Sequence, residues 1–166
     1  MEKTDWSEAP CPFARSISLL GEWGALLIVR EAFGGTTRFD DFQKKLGMSR
    51  NLLTSRLRTL VDGGVLERRP ISPRSRRHEY VLSEMGEDLI TTVVALRQWG
   101  DRWLFKPALH PAEMIDAVDG TTVQTLAVRS TKGRLMARKD LRLQSTNHPR
   151  PQATPETRTP LRLRRT

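Results

Sequence analysis

The sequence predicts a mainly α-helical fold with one small β-hairpin, an α+β class, and two observations support this. Apolar residues recur at three- and four-residue spacing in four segments before residue 62 and in a fifth after residue 83. Between them lie two five-residue segments, 65–69 and 78–82, with the composition and period of strands. A chain of 166 residues gives room for one such domain with an appendage.

The first two helices are predicted on either side of a glycine. The first opens at Pro10-Cys11-Pro12, and its apolar residues recur every three or four positions until Gly21 interrupts the pattern. The second runs from Trp23 to Gly34-Gly35, because glycine commonly follows the C-terminus of a helix. Its more apolar composition predicts deeper burial.

The third and fourth helices are predicted on either side of a short turn. The apolar positions of the third have spacing i, i+3 and i+7: Phe39, Phe42 and Leu46. Gly47 ends it, and Ser49 is a favoured N-cap for the fourth. The fourth runs to about residue 61, before Asp62-Gly63-Gly64. We expect its leucine stripe to pack on the third helix and on Leu26 and Leu27.

A hairpin and a long helix are predicted next. The strands are Val65–Arg69 and His78–Leu82, joined by a loop over Ile71–Arg77 that contains three arginines. Ser83 is the expected cap of a single long helix that continues through Trp103.

The remaining chain has weaker patterning. Thr121–Val128 and Leu135–Leu143 are predicted as two short strands. From Ser145 onward, proline, threonine and arginine predominate, and such a segment buries too little apolar surface to become ordered. The predicted parts are therefore a domain over residues 1–105, a short β-rich extension over 106–145 and a disordered basic tail over 146–166.

The positive charge of the chain is concentrated in two places, within a formal net charge of +9. Residues 129–166 hold eleven basic and two acidic residues, whereas residues 1–128 hold seventeen of each. Within that neutral part, residues 38–77 hold eleven basic and four acidic residues, between two acidic segments. This distribution indicates a polyanionic partner; an arginine-rich solvated surface is the alternative.

The order helix, short helix, glycine turn, helix and hairpin is that of a winged helix-turn-helix. The apolar stripe of the fourth helix leaves Arg, Asn, Ser and Thr side chains on the opposite side, where they suit base edges and phosphates. The arginines of the hairpin loop suit the DNA backbone or a narrow minor groove. The candidate DNA-contacting residues are Ser49, Arg50, Asn51, Thr54, Ser55, Arg58, Arg74, Arg76 and Arg77. A solvated polar face and loop is the alternative.

From residue 11 to about residue 103, the sequence resembles the HxlR-type family of bacterial and archaeal winged-helix transcriptional regulators. The motifs that carry this resemblance are Cys11-Pro12, Gly21-Glu22-Trp23, Leu26–Glu31, Arg38-Phe39, Leu57–Leu60, Gly64–Arg68 and Glu79–Gly86. Many members have a basic residue where this chain has Glu22, and Thr or Ser where it has Gly24. Both differences lie outside the proposed recognition helix.

The resemblance implies a homodimer that binds an inverted repeat in double-stranded DNA near a promoter. In the family, the first helix and the long last helix form the dimer interface, so the candidate interface residues are Phe13, Ile17, Leu96, Trp99 and Trp103. Some members sense oxidants or electrophiles through a cysteine at the position of Cys11, which makes it a candidate redox sensor. The alternative is a small apolar residue packed at the dimer seam. For Trp99 and Trp103, the alternative to packing is an aromatic ligand pocket.

Enzymatic function has no support among the sequence motifs. His78, His110 and His148 are scattered, one cysteine cannot build a Cys-rich zinc module, and no phosphate-binding loop or nucleophile motif is present. We expect no metal and no cofactor, and the sequence does not indicate which small molecule acts as an effector. The longest apolar stretch is Ala25–Val29, so we expect no membrane span and a cytoplasmic location.

Two other functions stay open from the sequence alone. The first is a winged-helix module that binds another protein through its acidic last helix. The second is a basic RNA-associated protein, which the arginine-rich tail favours but which lacks the surface aromatic platform that base stacking requires.

Overall fold

The computed structural model of the chain describes residues 6–105 and 112–144. Its first helices are α1 (Pro12–Leu20), α2 (Ala25–Phe33), α3 (Phe39–Leu46) and α4 (Arg50–Asp62). They are followed by β1 (Leu66–Pro70), β2 (His78–Leu82), the one-turn α5 (Glu84–Glu87) and α6 (Ile90–Trp103). The chain divides into two compact units, the first ending at Leu126 and the second beginning at Ala127. The predicted mainly α class with a β-hairpin is confirmed.

The core of the first unit lies where α2, α3 and α4 pack together. Its buried residues are Ala25, Ile28, Val29, Phe42, Met48, Leu53, Leu57, Leu60, Val65 and Leu66. The expectation that Leu26 and Leu27 pack on α4 is wrong, since α2 turns Ala25, Ile28 and Val29 inward and leaves Leu27 41% exposed. An uninterrupted apolar run does not specify which face of a helix is buried.

The turn between α3 and α4 forms as predicted. Gly47 has a left-handed backbone with φ of 62°, and its N–H donates to the carbonyl of Gln43 at 2.9 Å. The hydroxyl of Ser49 then accepts a hydrogen bond from the N–H of Leu52 at 3.3 Å, which caps α4. Met48, between these two residues, is 3% exposed and anchors the turn in the core.

The hairpin is antiparallel, with Leu66 opposite Leu82 and Pro70 opposite His78. Its first strand begins one residue later than predicted and includes Pro70, which a two-stranded sheet tolerates at an open edge. The N–H of Tyr80 donates to the carbonyl of Thr37 at 2.8 Å, so the linker between α2 and α3 lies along β2. The hairpin is therefore fixed to the helical core.

The predicted long helix after Ser83 is wrong in one respect, because the structure breaks it into α5 and α6. The hydroxyl of Ser83 accepts from the N–H of Gly86 at 3.0 Å and donates to the carbonyl of Gly64 at 2.5 Å. The backbone N–H of Ser83 donates to the carbonyl of Val65 at 3.1 Å. Gly86 is buried so closely against the residue before β1 that a Cβ atom there would lie 2.2 Å from the Val65 carbonyl oxygen. These contacts fix α5 against the start of the hairpin before α6 begins.

Residues 112–126 belong to the first unit and run beside α6. The side-chain amide of Gln98 donates to the carbonyl of Gln124 at 3.0 Å, and its oxygen accepts from the N–H of Leu126 at 2.8 Å. The predicted strand at 121–128 does not form; the segment makes an isolated antiparallel bridge between Ile115 and Thr122. Gln98 occupies backbone groups that a strand ladder would need.

The second unit is described from Ala127 to residue 144. The strand predicted at 135–143 does not form either, since a single bridge joins Arg129 and Leu135 and a 3₁₀ helix follows at Arg138–Asp140. The carboxylate of Asp140 accepts from the N–H of Ala137 at 2.7 Å, which stabilises that turn against an extended chain. The predicted tail at 146–166 lies outside the described residues.

Within residues 6–105 and 112–144, no single helix is long and apolar enough to cross a membrane. Taken together, α1 and α2 reach the length and apolar composition of a membrane span, but the chain bends by 82° at the break between them.

Candidate nucleic-acid interface

Helix α4 has two chemically different sides. Leu53, Leu57 and Leu60 on one side are at most 1% exposed. The other side, which we call the polar face of α4, is exposed and consists of Arg50, Asn51, Thr54, Ser55 and Arg58. The burial of the leucines fixes the rotation of the helix about its axis, so the polar face is presented to solvent.

The two arginines of the polar face have weak intramolecular partners. The guanidinium carbon of Arg50 lies 4.8 Å from the centre of the Phe39 ring, and its Nη1 lies 4.0 Å from Oδ1 of Asp40. The Nε of Arg58 lies 3.4 Å from Oδ2 of Asp62. Because the side chains of both arginines are more than 70% exposed, such pairs contribute at most about 1 kcal/mol and can be exchanged for a phosphate or a base.

The wing, which we define as the loop of residues 71–77, is closed by its own hydrogen bonds. The N–H of Ile71 donates to the carbonyl of Arg77 at 3.1 Å, and the N–H of Arg77 donates to the hydroxyl of Ser75 at 3.0 Å. Arg74, Arg76 and Arg77 are exposed. Among the described residues, no acidic group forms an ion pair with these three guanidiniums. Their charge is accessible to an anionic ligand.

All nine residues predicted to contact DNA lie at the surface of the first unit. The polar face and the wing come from neighbouring elements, because α4 packs against β1 and the N–H of Val65 donates to the carbonyl of Leu60 at 2.9 Å. Their exposure is compatible with the predicted role, which stays a prediction for each residue.

Arg56 is the cation of α4 that does not belong to the polar face. Its Nη2 lies 2.6 Å from Oε2 of Glu22, and its Nε donates to the carbonyl of Trp23 at 2.9 Å. The side chains of Arg56 and Glu22 are 16% and 20% exposed. The helical period contained this signal, because positions 53, 56, 57 and 60 have the spacing i, i+3, i+4 and i+7 of the buried stripe.

The five candidate interface residues carry exposed apolar side chains on α1 and α6. Their exposed fractions are 75% for Phe13, 48% for Ile17, 50% for Leu96, 53% for Trp99 and 66% for Trp103. Cys11 is also exposed, at the N-cap position of α1. Apolar residues that are half-exposed on two helices are typical of a surface that another chain covers.

No group of three or more His, Cys, Asp or Glu side chains is placed to share a metal ion within the part of the chain that the structure describes. Among the described residues, the pKa of Asp119 lies below its usual value, because the hydroxyl and N–H of Thr121 donate hydrogen bonds to its carboxylate. Asp119 belongs neither to the polar face of α4 nor to the wing.

Comparison with known proteins identifies the family. The sequence profile of the HxlR-like helix-turn-helix family matches residues 19–107, more than half of the chain. The chain belongs to the HxlR-like family. The resemblance that the sequence motifs indicated is thus confirmed, as is the winged helix-turn-helix fold.

Individual relatives are also transcriptional regulators by name. The chain is 46% identical over 100 residues to the uncharacterised HTH-type transcriptional regulator Rv3095 of Mycobacterium tuberculosis, a match that covers 60% of this chain and 63% of that one. The crystal structure of PA1607, provisionally named a transcription factor, superposes with a TM-score of 0.81 at 38% identity, covering 86% of this chain and 100% of that one. PA1374 of Pseudomonas aeruginosa has a TM-score of 0.58 at 34% identity, with coverage of 88% and 97%.

Proposed function

We propose that this HxlR-like protein is a sequence-specific transcriptional regulator that binds double-stranded DNA as a homodimer, on an inverted repeat, in the cytoplasm. The observation that carries the proposal is the geometry of α4, in which Leu53, Leu57 and Leu60 are buried while the polar face is exposed beside a wing with three arginines. A protein that recognises base edges requires such a face on a helix whose rotation is fixed.

In this proposal, α4 enters the major groove and the wing follows the backbone. Arg50 lies in the first turn of α4, where the recognition helices of this motif contact bases, and its guanidinium suits a guanine. Asn51 suits an adenine, and Thr54 and Ser55 suit either bases or phosphates. Ser49, Arg58 and the wing arginines suit phosphates, with a narrow minor groove as a second target for the wing.

The homodimer is proposed on the exposed apolar side chains of α1 and α6. Burial of these side chains against a second copy would remove them from water and would place two α4 helices in successive major grooves, about 34 Å apart. A response of the dimer to a small molecule is a further part of the proposal, with a redox signal as the alternative.

The proposal is tested by selecting duplexes from a random library with the tagged protein and then titrating the selected duplex by fluorescence anisotropy. We expect an operator affinity at least about 10³-fold above that of a scrambled duplex at physiological salt. Competition with single-stranded RNA of the same length should have little effect. Equal affinity for operator, scrambled duplex and RNA would overturn the proposal.

Arg50→Ala is expected to weaken operator binding by about 1–3 kcal/mol in each half-site, with the loss confined to one base pair there. The physical reason is the loss of a bidentate contact to one base. Binding to a panel of operators with single base-pair changes measures this. Arg15→Ala removes an equal charge from α1 and is expected to leave base preference unchanged. Uniform weakening on every duplex would show that Arg50 contacts only phosphates.

Trp99→Glu is expected to raise the dimer dissociation constant by at least about tenfold, because the new carboxylate would be buried without a partner. Analytical ultracentrifugation over a concentration series measures the change. Val118→Glu is the matched control, since Val118 is an apolar residue with 95% exposure. An unchanged dimer in Trp99→Glu would place the interface elsewhere.

For Cys11, we propose packing at the dimer seam, with oxidant sensing as the alternative. Operator affinity is then expected to be unchanged after treatment of the protein with peroxide or diamide. The titration is repeated with Cys11→Ser. If the oxidant lowers the operator affinity of the original protein but not that of Cys11→Ser, Cys11 is instead a redox sensor.

A further inference from the structure

The turn between α1 and α2, residues 21–24, contacts the recognition helix through a shielded ion pair. Arg56 reaches from the middle of α4 to two acceptors on this turn, the carboxylate of Glu22 at 2.6 Å and the carbonyl of Trp23 at 2.9 Å. Lysine could not reproduce this geometry, because a guanidinium donates in two fixed directions and an ammonium acts as a point charge. The contact is specific to arginine at this position.

The same turn also packs against the turn between α3 and α4. Gly24 has a φ of 86°, and a Cβ atom there would lie 2.3 Å from the terminal methyl carbon of Met48. Met48 is buried directly before the N-cap of α4. The turn of residues 21–24 therefore contacts the middle of α4 through Arg56 and also borders Met48. Together, these two contacts restrict both the tilt and the rotation of α4.

We infer that Arg56 is a positioning residue, which fixes the recognition helix against the turn of residues 21–24 through Glu22 and the Trp23 carbonyl and does not contact DNA. The inference rests on the proposed function, since it concerns how the polar face of α4 is held for base recognition. Base contacts require hydrogen bonds along fixed directions, whereas phosphate contacts carry no sequence information. A loosened α4 should therefore lose operator affinity while retaining affinity for any duplex.

Glu22→Gln distinguishes this role from that of a phosphate contact, because the two roles predict changes of opposite sign. If Arg56 contacts a phosphate, removal of the Glu22 carboxylate releases the guanidinium and strengthens binding to every duplex. If Arg56 positions α4, the same change weakens the pair and lowers operator affinity. Because the side chains of Arg56 and Glu22 are both shielded, the broken pair leaves a partly desolvated charge, and this increases the expected loss of operator affinity.

The experiment measures the affinity of the full-length dimer for operator and scrambled duplex at several salt concentrations. For Glu22→Gln we expect about tenfold weaker operator binding, unchanged binding to scrambled duplex and an unchanged salt dependence. Arg56→Lys should have a smaller effect than Arg56→Gln. The control is Asp62→Asn, which removes the exposed acidic partner of Arg58 on the same helix and is expected to strengthen binding to both duplexes. Operator binding by Glu22→Gln that equals or exceeds that of the original protein would overturn the inference.

A second measurement needs no DNA. Hydrogen exchange of the α4 backbone amides should be faster in Glu22→Gln than in the original protein, at a temperature where both are fully folded. Unchanged exchange in α4 would overturn the inference even where the protein binds its operator. Parallel loss of operator and scrambled-duplex affinity would also overturn it, because that pattern indicates general misfolding. If the original protein binds every duplex with equal affinity, the proposed function fails, and the positioning role of Arg56 in DNA recognition fails with it.

Discussion

Leu53→Ala is expected to lower the free energy of unfolding by about 2–5 kcal/mol, whereas Thr54→Ala is expected to change it by less than about 0.5 kcal/mol. The two residues are adjacent on α4, but Leu53 is completely buried and Thr54 is exposed. The alanine in place of Leu53 removes buried methyl groups and leaves a cavity among α2, α3 and α4. Denaturant unfolding at one fixed protein concentration measures the difference, since dimerisation makes stability depend on concentration.

Base preference should separate the two variants in the opposite way. At a temperature where both are folded, Thr54→Ala is expected to lose affinity at one base pair per half-site, whereas a loss in Leu53→Ala should be spread over the positions that α4 contacts. Similar stability losses in both variants would mean that α4 does not present its leucines to the core. The interface assignment would then fail together with the packing.

The local elements of this fold could be predicted because their causes lie within a few residues of one another. Gly47 supplies the left-handed backbone that the turn needs, and Ser49 caps the helix that follows. The spacing of Leu53, Leu57 and Leu60 determines which side of α4 is buried, and therefore which residues are exposed. The candidate interface follows from that one stripe and from the arginines of the hairpin loop.

The features that the sequence did not reveal depend on contacts between distant parts of the chain. The break between α5 and α6 arises because Ser83 and Gly86 are fixed to Val65, the residue before β1. In place of the strand predicted at 121–128, the backbone makes hydrogen bonds to the side chain of Gln98. The sequence does not indicate this contact, because a glutamine amide can bond to water as well as to a distant backbone group. The inward position of Arg56 depends on Glu22, which is distant in the sequence, because a cation is usually exposed unless a partner neutralises it.

The three arginines of α4 differ in their surroundings. Arg50 and Arg58 have exposed, weak ion pairs that another anion can replace, whereas Arg56 has a shielded pair and a carbonyl acceptor. Burial and the number of acceptors decide the role of each, because the guanidinium chemistry is the same. Net charge alone would count all three as DNA contacts.

Replacement of both Arg76 and Arg77 by alanine is expected to reduce affinity for every duplex, and most strongly at low salt. The slope of log K against log salt is negative, and each phosphate contact adds about 0.9 to its magnitude; a homodimer would lose four such contacts. The magnitude of the slope should therefore fall by about 3.6, and affinity should fall about 4,000-fold at 0.1 M salt and about 75-fold at 0.3 M salt. Base preference at the operator should be unchanged, because these contacts are made to the backbone.

Arg15→Ala combined with Arg30→Ala is the matched control, since it removes the same two charges per chain from α1 and α2. Glu8 lies 4.0 Å from Arg15, and Glu31 pairs with Arg30, so these guanidiniums are already partly neutralised. The control should change the salt slope by much less than the wing variant. If both variants lose affinity equally, the wing acts only through net charge, and the loop makes no phosphate contacts of its own. If the wing variant instead changes base preference with little change in slope, its arginines enter a narrow A·T-rich minor groove.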